Sequence, residues 1–409
     1  MISAKAKYLF SSYLKPRAKA RGVVNCMRIV IIFTFFFSSI LFAQSDFYQL
    51  GGYVKYLYSN ADLPLTGHVN DHLIHARINS RLYVSDNIRA GIELRNRIFY
   101  GGSVEKTPNF LSTTESYHDL GNADVVWWDA NSSAGLTELD RMWIDATYNK
   151  LQVTVGRQRI AFGTALVWNP VDLFNPLSIL DFDYEERPGV DAVRIQYYTG
   201  DVSKVEVAIK PGKTRSGNVV AAKLLFNRWD YDFHILGGIR AYKPFVGFAW
   251  AGDIEGAGFR GECLSSQIDD NAAALYPSLA DKWSSSYCLS GDYTFPSSLY
   301  IHTEVLYNDR GVTQYTALAY PRMQSLHLLS PAKWSLFQEV SYDVHPLVHV
   351  SGFVIHNPND ASSAYVPSVT WSAFENIDLS FFGLIFAGNS LSEYGSYGTS
   401  FFIRGKYSF

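Results

Sequence analysis

The last eleven residues of the chain, Thr399 to Phe409, read TSFFIRGKYSF. Apolar or small residues at Phe401, Ile403, Gly405, Tyr407 and Phe409 alternate with Phe402, Arg404, Lys406 and Ser408. Successive side chains of a strand point to opposite faces, so one face of this segment suits lipid and most of the other suits water. That is the period of a membrane-spanning strand, here running into a terminal aromatic residue.

The other end of the chain argues for export. Met27 and Arg28 lead into an apolar run from Ile29 to Phe37, then Ser38, Ser39 and a short stretch ending at Ala43. This is the layout of a secretory signal peptide, with cleavage expected after Ala43 although Leu41 is bulky for the minus-three position. Residues 1–26 carry Lys5, Lys7, Lys15, Arg17, Lys19 and Arg21 without hydrophobic periodicity. They read as an upstream segment in front of a start at Met27, or as a long basic n-region. No later segment approaches the roughly 20 apolar residues of a spanning helix. Yet 47% of the residues are hydrophobic and 15% aromatic, which fits a wall that alternates lipid-facing and water-facing positions.

Alternation and turn signals mark strands near 47–58, 72–85, 88–100, 140–148, 151–160, 189–198, 203–210, 218–227 and 231–242. Nine more fall near 244–252, 256–264, 284–295, 298–307, 332–343, 346–356, 364–374, 377–387 and 399–409. The connections alternate in length. Short turns such as Asp86-Asn87, Asn149-Lys150 and Phe295–Ser297 follow even strands, whereas long loops near 101–139, 161–188, 265–283 and 308–331 follow odd ones. The fold expected is therefore all-β: a transmembrane antiparallel barrel of about eighteen strands, with short periplasmic turns and long extracellular loops. Sixteen strands is the alternative if the weak pair near 244–264 is misread. Residues 44–409 then form one barrel domain in the bacterial outer membrane, its partners being outer-membrane lipid and a small solute.

The polar set of each strand should face inward, because an arginine near the bilayer midplane costs on the order of 2–4 kcal/mol. Strands two to four contribute His75, Arg77, Asn79, Arg81, Arg89, Glu93, Arg95, Arg97, Arg141 and Asp145. Further round, Arg194, Lys223, Arg240, Arg260, Glu262, His302, Glu304, Glu339, Arg404 and Lys406 share the polar side. Two readings stand: an arginine track that attracts anionic or hydroxyl-rich solutes through guanidinium chemistry, or a network of arginines neutralised by Glu93, Asp145 and other acids. Strict alternation places Cys263 outward and Cys288 inward, so a disulfide between them would need a bulge.

From Gly156 the chain reads GRQRIAFGTALVWNPVDLFNP. A strand ending in this motif and leading into a WNPxDxFNP loop resembles bacterial outer-membrane porin-like proteins of the alginate-export type. The resemblance implies an eighteen-stranded barrel with a basic lumen for an acidic polysaccharide, and pore-side positions for Arg157 and Arg159. Alternation opposes this, since Val153 and Val155 share their parity, so a bulge at or after Gly156 is expected. The closing strand ending in Phe409 likewise resembles the signal read by the barrel-insertion machinery. The loop after the motif, held by Pro170, Pro176 and Pro188, carries Asp181, Asp183, Glu185 and Glu186. It is long enough to fold inward as a constriction; its acids read as solvated or paired to arginine before they read as a cation site.

Enzyme signatures are missing. His302 with Glu304, and His349 with Ser351, share strand faces, but spacing shows no third catalytic member, and there is no phosphate-binding glycine loop, zinc cluster or nucleophile elbow. A net charge of −3 argues against nucleic-acid binding, and no cofactor is expected. The first strand begins almost at once after the signal, so passage should be passive. The rival reading is a non-conducting receptor, adhesin or structural barrel; less favoured is a barrel hydrolase. The loop holding His118, Asp119, Trp127, Trp128 and Asp129 is a candidate ligand-contact surface.

Overall fold

A computed structural model describes residues 46–63, 67–114, 120–121, 123–174, 186–214 and 217–409. The expected signal peptide, His118, Asp119, Pro176, Asp181, Asp183 and Glu185 lie outside the described residues. Residues 51–409 form one compact unit; of the residues before it, 46–50 are described, a turn and the start of a strand.

The strands are β1 (Tyr48–Leu63), β2 (Gly67–Ser85), β3 (Ile88–Gly101), β4 (Val125–Ala130), β5 (Ser133–Tyr148), β6 (Leu151–Gln158), β7 (Val190–Tyr198), β8 (Lys204–Lys210), β9 (Val219–Arg228) and β10 (Tyr231–Arg240). They continue as β11 (Lys243–Ile254), β12 (Ala257–Gln267), β13 (Trp283–Thr294), β14 (Tyr300–Asn308), β15 (Trp334–His345), β16 (Val348–Asn357), β17 (Ser362–Phe374), β18 (Ile377–Ala387) and β19 (Ser400–Ser408). Among the described residues four short α-helices sit in the connections: α1 (Gly102–Lys106), α2 (Phe110–Thr114), α3 (Asp270–Leu275) and α4 (Tyr320–Leu326). Among the described residues no helix is long and apolar enough to cross a membrane.

Each barrel strand pairs antiparallel with its sequence neighbours, and β19 closes on β1, with Tyr53 opposite Ser408 and Ala61 opposite Ser400. Closure leaves no edge, so the amides of the wall pair within the sheet. The barrel has eighteen strands. β4 stands outside this count: among the described residues it pairs with β5 alone, while β3 takes the other edge of β5.

Three boundaries differ from expectation. β5 begins at Ser133, not near 140, and β4 occupies a stretch read as loop. The run VVWWDA hides its strand because it does not alternate, and its pairing slips between Val126 and Trp128. β1 and β2 also run further outward than expected, joined across 64–66. Trp127, Trp128 and Asp129 thus belong to a hairpin, the two indole centroids 5.9 Å apart.

The outer wall carries exposed Ile92, Met142, Ile144, Val155, Ile195, Leu289, Phe381 and Ile403, the lipid-facing set of the pattern. Inside, polarity is interrupted. Ala192, Ala208, Ala221, Leu236, Phe245, Ala249 and Leu264 occupy inward positions of β7 to β12 and pack with Ile160, Phe162, Val171 and Phe174. This correction to an all-polar lumen has a simple cause: that stretch of wall is the seat of a loop. Cys263 and Cys288 are free thiols, Cys288 buried and Cys263 opposite the exposed Tyr287, so alternation placed them on opposite faces.

Candidate functional site

The connection from β6 to β7 does not stay outside. It enters the barrel and is held there by two carboxylates on the far wall. Glu262 of β12, 1% exposed, accepts hydrogen bonds from the backbone N–H groups of Thr164, Ala165 (2.7 Å) and Val171 (3.2 Å) and from Asn169 Nδ2 (3.3 Å). Glu304 of β14, fully buried, accepts from Leu166 N (3.2 Å), Val167 N (3.2 Å) and Trp168 N (2.5 Å). A buried carboxylate is tolerated when several donors saturate its lone pairs, and here the loop backbone supplies them.

Apolar contacts complete the seat. Phe162 meets Phe174 edge to face at 5.1 Å, Lys223 Nζ lies 4.2 Å from the Phe162 ring centre, and Trp168 reaches Phe337 of β15 at 6.4 Å. The loop therefore spans the interior from β6 to β15. Its return end is fastened to the opposite wall: Glu186 pairs with Arg77 at 2.6 Å, and Arg141 Nη2 donates to the Arg187 carbonyl at 2.8 Å. Arg187 in turn binds Asp172 and Asn169 within the loop.

The arginines of β2, β3 and β5 divide into locked and open groups. Arg77 is completely buried and touches Glu93 and Asp140, each at 2.5 Å, as well as Glu186. Asp140 arrives there through a bulge: Glu93 pairs with Arg141 but Leu94 with Leu139, leaving Asp140 as the extra residue. Arg95 grips Glu138 through two bonds of 2.9 and 2.8 Å, and Arg97 adds a third at 2.7 Å. Arg141 reaches Glu93 at 3.1 Å. The carboxylates of Glu93, Asp140 and Glu186 lie close enough together to hold a metal, but the Arg77 guanidinium bonds to all three and is itself their cation.

Other expected lumen cations are also engaged. Arg194 pairs with Glu206 at 2.6 Å, and Arg404 donates to Ser380 at 3.3 Å. Arg157 is buried and binds Asp191 (3.0 Å), the Leu139 carbonyl (2.8 Å) and the Gly121 carbonyl (2.7 Å). It stands in register with Met142 and Asp191, and the register of β6 runs through Gly156 without the expected bulge. The departure lies in the backbone instead. Gly156 adopts φ +115°, and a Cβ there would stand 2.3 Å from the Met142 carbonyl oxygen, so only glycine fits.

Arg81 and Arg159 are exposed and carry no hydrogen bond or ion pair among the described residues. Arg89 pairs with Asp145 at 3.0 Å yet leaves 51% of its side chain exposed. Asp145 is saturated from below by Gln152 and Thr154. These three guanidiniums keep exposed surface.

The His302 constellation is structural. Its Nε2 lies 3.1 Å from Ser290 Oγ and 3.4 Å from Glu304, while Nδ1 lies 3.7 Å from Glu339. Ser290 and His302 are each 1% exposed, so no substrate reaches them, and their effect is to brace the loop-anchoring carboxylate. His349 binds Asp343 and Ser351 binds Ser368, not each other.

On the extracellular side the 388–399 connection is pinned by Glu393. Its carboxylate accepts from Asn357 Nδ2 (2.8 Å) and Ser330 Oγ (3.2 Å), and its own N–H donates to Asp360 (2.8 Å). Burial, reinforced by the Asp360 charge, pushes the Glu393 carboxyl up to about 7. A carboxyl raised in the folded state favours folding below its unfolded value, and that contribution is lost as pH rises through the folded value. Amide exchange over 388–399, corrected for intrinsic rate, should therefore be faster at pH about 8 than at about 5. Glu393→Gln should remove the difference; a variant that keeps it would show that another group titrates.

No protein-family model and no curated protein matches the chain in sequence. In three dimensions it has the fold of outer-membrane porin β-barrels. Acinetobacter baumannii OccAB2 superposes with a TM-score of 0.55 at 10% identity, covering 90% of this chain and 99% of that one. Pseudomonas aeruginosa OccK5 (OpdH) gives 0.56 at 8% identity over 89% and 98%, and P. aeruginosa OccK7 (OpdD) 0.55 at 7% over 90% and 99%.

Proposed function

We propose that this chain is an outer-membrane channel for passive diffusion of small solutes, narrowed by its inward loop and favouring anionic or acidic-sugar solutes. The observation that carries the reading is the loop itself: residues 160–174 are seated inside the barrel on Glu262 and Glu304, with Arg81 and Arg89 on the inward parity of β2 and β3 and Arg159 directly before the loop. A loop anchored this way narrows an aqueous path. Open guanidiniums beside it favour anions, because rings of basic residues lower the barrier for negative charge and guanidinium forks match carboxylates. The porin barrels named above share the architecture, which supports the outer-membrane location; the alginate-export resemblance of residues 156–176 supports an acidic-sugar solute. The signal at 27–43 and the terminal strand ending in Phe409 are the features proposed to deliver the chain to the membrane and its insertion machinery.

The test is a reversal potential under a salt gradient for the triple variant Arg81→Gln, Arg89→Gln, Arg159→Gln. Arg81 and Arg159 hold no hydrogen bond or ion pair among the described residues, and the half-exposed Arg89 leaves Asp145 with Gln152 and Thr154 as donors, so the barrel should fold normally. The anion-to-cation permeability ratio should fall about two- to fivefold. A folded variant with the wild-type ratio would remove these residues from solute selection.

A further inference from the structure

Two strands that run inward from the extracellular rim open on the same three residues: Lys282-Trp283-Ser284 leads into β13 and Lys333-Trp334-Ser335 into β15. Both serines are buried, whereas the indoles are 41% and 43% exposed, on the parity of the lipid-facing Leu289 and Val340. β14 lies between these strands and adds Tyr307, its ring 4.5 Å from Trp334 and 6.1 Å from Tyr287. This is the outer aromatic belt of a barrel wall. Cations gather directly above it. Lys333 Nζ lies 5.9 Å from the Tyr307 ring centre, and neither it nor Lys282 Nζ holds a hydrogen bond or ion pair among the described residues. Arg310, two residues beyond β14, donates through Nε (3.0 Å) and Nη2 (2.9 Å) to the Trp283 carbonyl, while its Nη1 holds no bond among the described residues. Arg322 of α4 joins the patch by donating to the Arg310 carbonyl at 3.2 Å. Of the two acids beside them, Asp309 is taken by Ser285 N at 2.8 Å and Arg310 at 3.4 Å, and Asp281 is exposed.

An aromatic belt does not by itself bring such charge. On β1 to β3 the outward aromatic set is bonded internally, Tyr56 Oη lying 2.6 Å from His72 Nδ1 and Tyr58 Oη donating to Asn70 at 2.8 Å, and the neighbouring Lys106 donates to the His68 carbonyl at 2.9 Å. We propose that the sector of Lys282, Arg310 and Lys333 binds the phosphate-bearing headgroup of an outer-leaflet glycolipid. The two ammonium groups and the free Arg310 nitrogen supply charge and donors for phosphate oxygens. The exposed indoles below offer amphipathic surface to the sugar edge and the first methylenes of the acyl chains. Position selects a lipid over a free anion, because the cations stand above rings that face the bilayer and not the lumen. The site requires the outer-membrane location and is independent of conduction.

The experiment is titration of diphosphoryl lipid A into the folded barrel in detergent, read by native mass spectrometry, with heat-modifiable migration confirming the fold of every variant. Wild type should bind, the double variant Lys282→Gln, Lys333→Gln should bind at least fivefold more weakly, and Lys106→Gln on the other rim should match wild type. Lipid A stripped of its phosphates should bind wild type at least fivefold more weakly than the intact form. Absence of binding to wild type, equal binding by the double variant, or an equal loss in Lys106→Gln overturns the proposal. Equal binding of the stripped lipid overturns phosphate recognition, and displacement of lipid A by inorganic phosphate at equal concentration overturns the choice of a lipid. A barrel that holds lipid A through these lysines but never conducts refutes the channel reading alone. One that conducts without lysine-dependent binding refutes the lipid site alone.

Discussion

Glu304→Ala should raise single-channel conductance several-fold and make the open current noisy. The substitution removes one anchor of the inward loop, leaving the Leu166, Val167 and Trp168 amides without an acceptor. Each hydrogen bond to a charged group contributes about 1.5–3 kcal/mol, and a buried donor left unpaired costs a comparable amount. Docking of the loop should therefore weaken by several kcal/mol while the wall, paired through its backbone on both sides of Glu304, stays closed. Glu304→Gln retains the shape and part of the accepting capacity, so its conductance should fall between wild type and alanine. Planar-bilayer recording checks this directly: conductance unchanged in a folded Glu304→Ala barrel would mean that the loop does not limit flow. Combining it with Glu262→Ala should enlarge the effect, since Glu262 holds the other amides of the same loop.

Arg77→Met should destabilise the barrel by about 3–5 kcal/mol, the cost of stripping the cation from buried carboxylates. Glu93 and Asp140 would remain buried, and Glu93 would keep only Arg141 at 3.1 Å. Asp140 sits on a bulge that exists in a single register, so it has no alternative face to turn to. Urea titration followed by heat-modifiable migration should show a lowered midpoint and reduced refolding yield, with Arg77→Lys intermediate. A midpoint equal to wild type would mean that the three carboxylates find other partners. Arg81, four residues along the same strand and without a hydrogen bond or ion pair among the described residues, offers the control: its substitution should leave the urea midpoint near wild type.

The strand count was legible because lipid on one side and water on the other impose a period of two, and because turn length alternates between the two rims. Residues 72–85 and 88–100 could be read with their inward sets from sequence, and Arg77, Glu93, Arg95 and Arg97 face where alternation puts them. What failed depended on features without a side-chain period. Asp140 falls on the lipid parity of β5 until a bulge turns it inward. Glu138 lies in a segment read as loop, so the partner of Arg95 and Arg97 was missed. Glu262 and Glu304 were placed on the polar side correctly, but their partners are backbone amides, which every residue carries and no sequence pattern marks. One signal was present: alanine, leucine and phenylalanine at inward positions of β8 to β12, where a water-filled lumen would favour polar residues, mark the seat of an internal loop.

The most direct test of the account is the single-channel reversal potential of refolded residues 44–409 in a planar bilayer under a salt gradient. The account predicts discrete openings of modest conductance with a potential of the sign set by anion preference. Discrete openings that prefer cations would contradict the role given to Arg81, Arg89 and Arg159, and a folded barrel that never opens would contradict the channel itself.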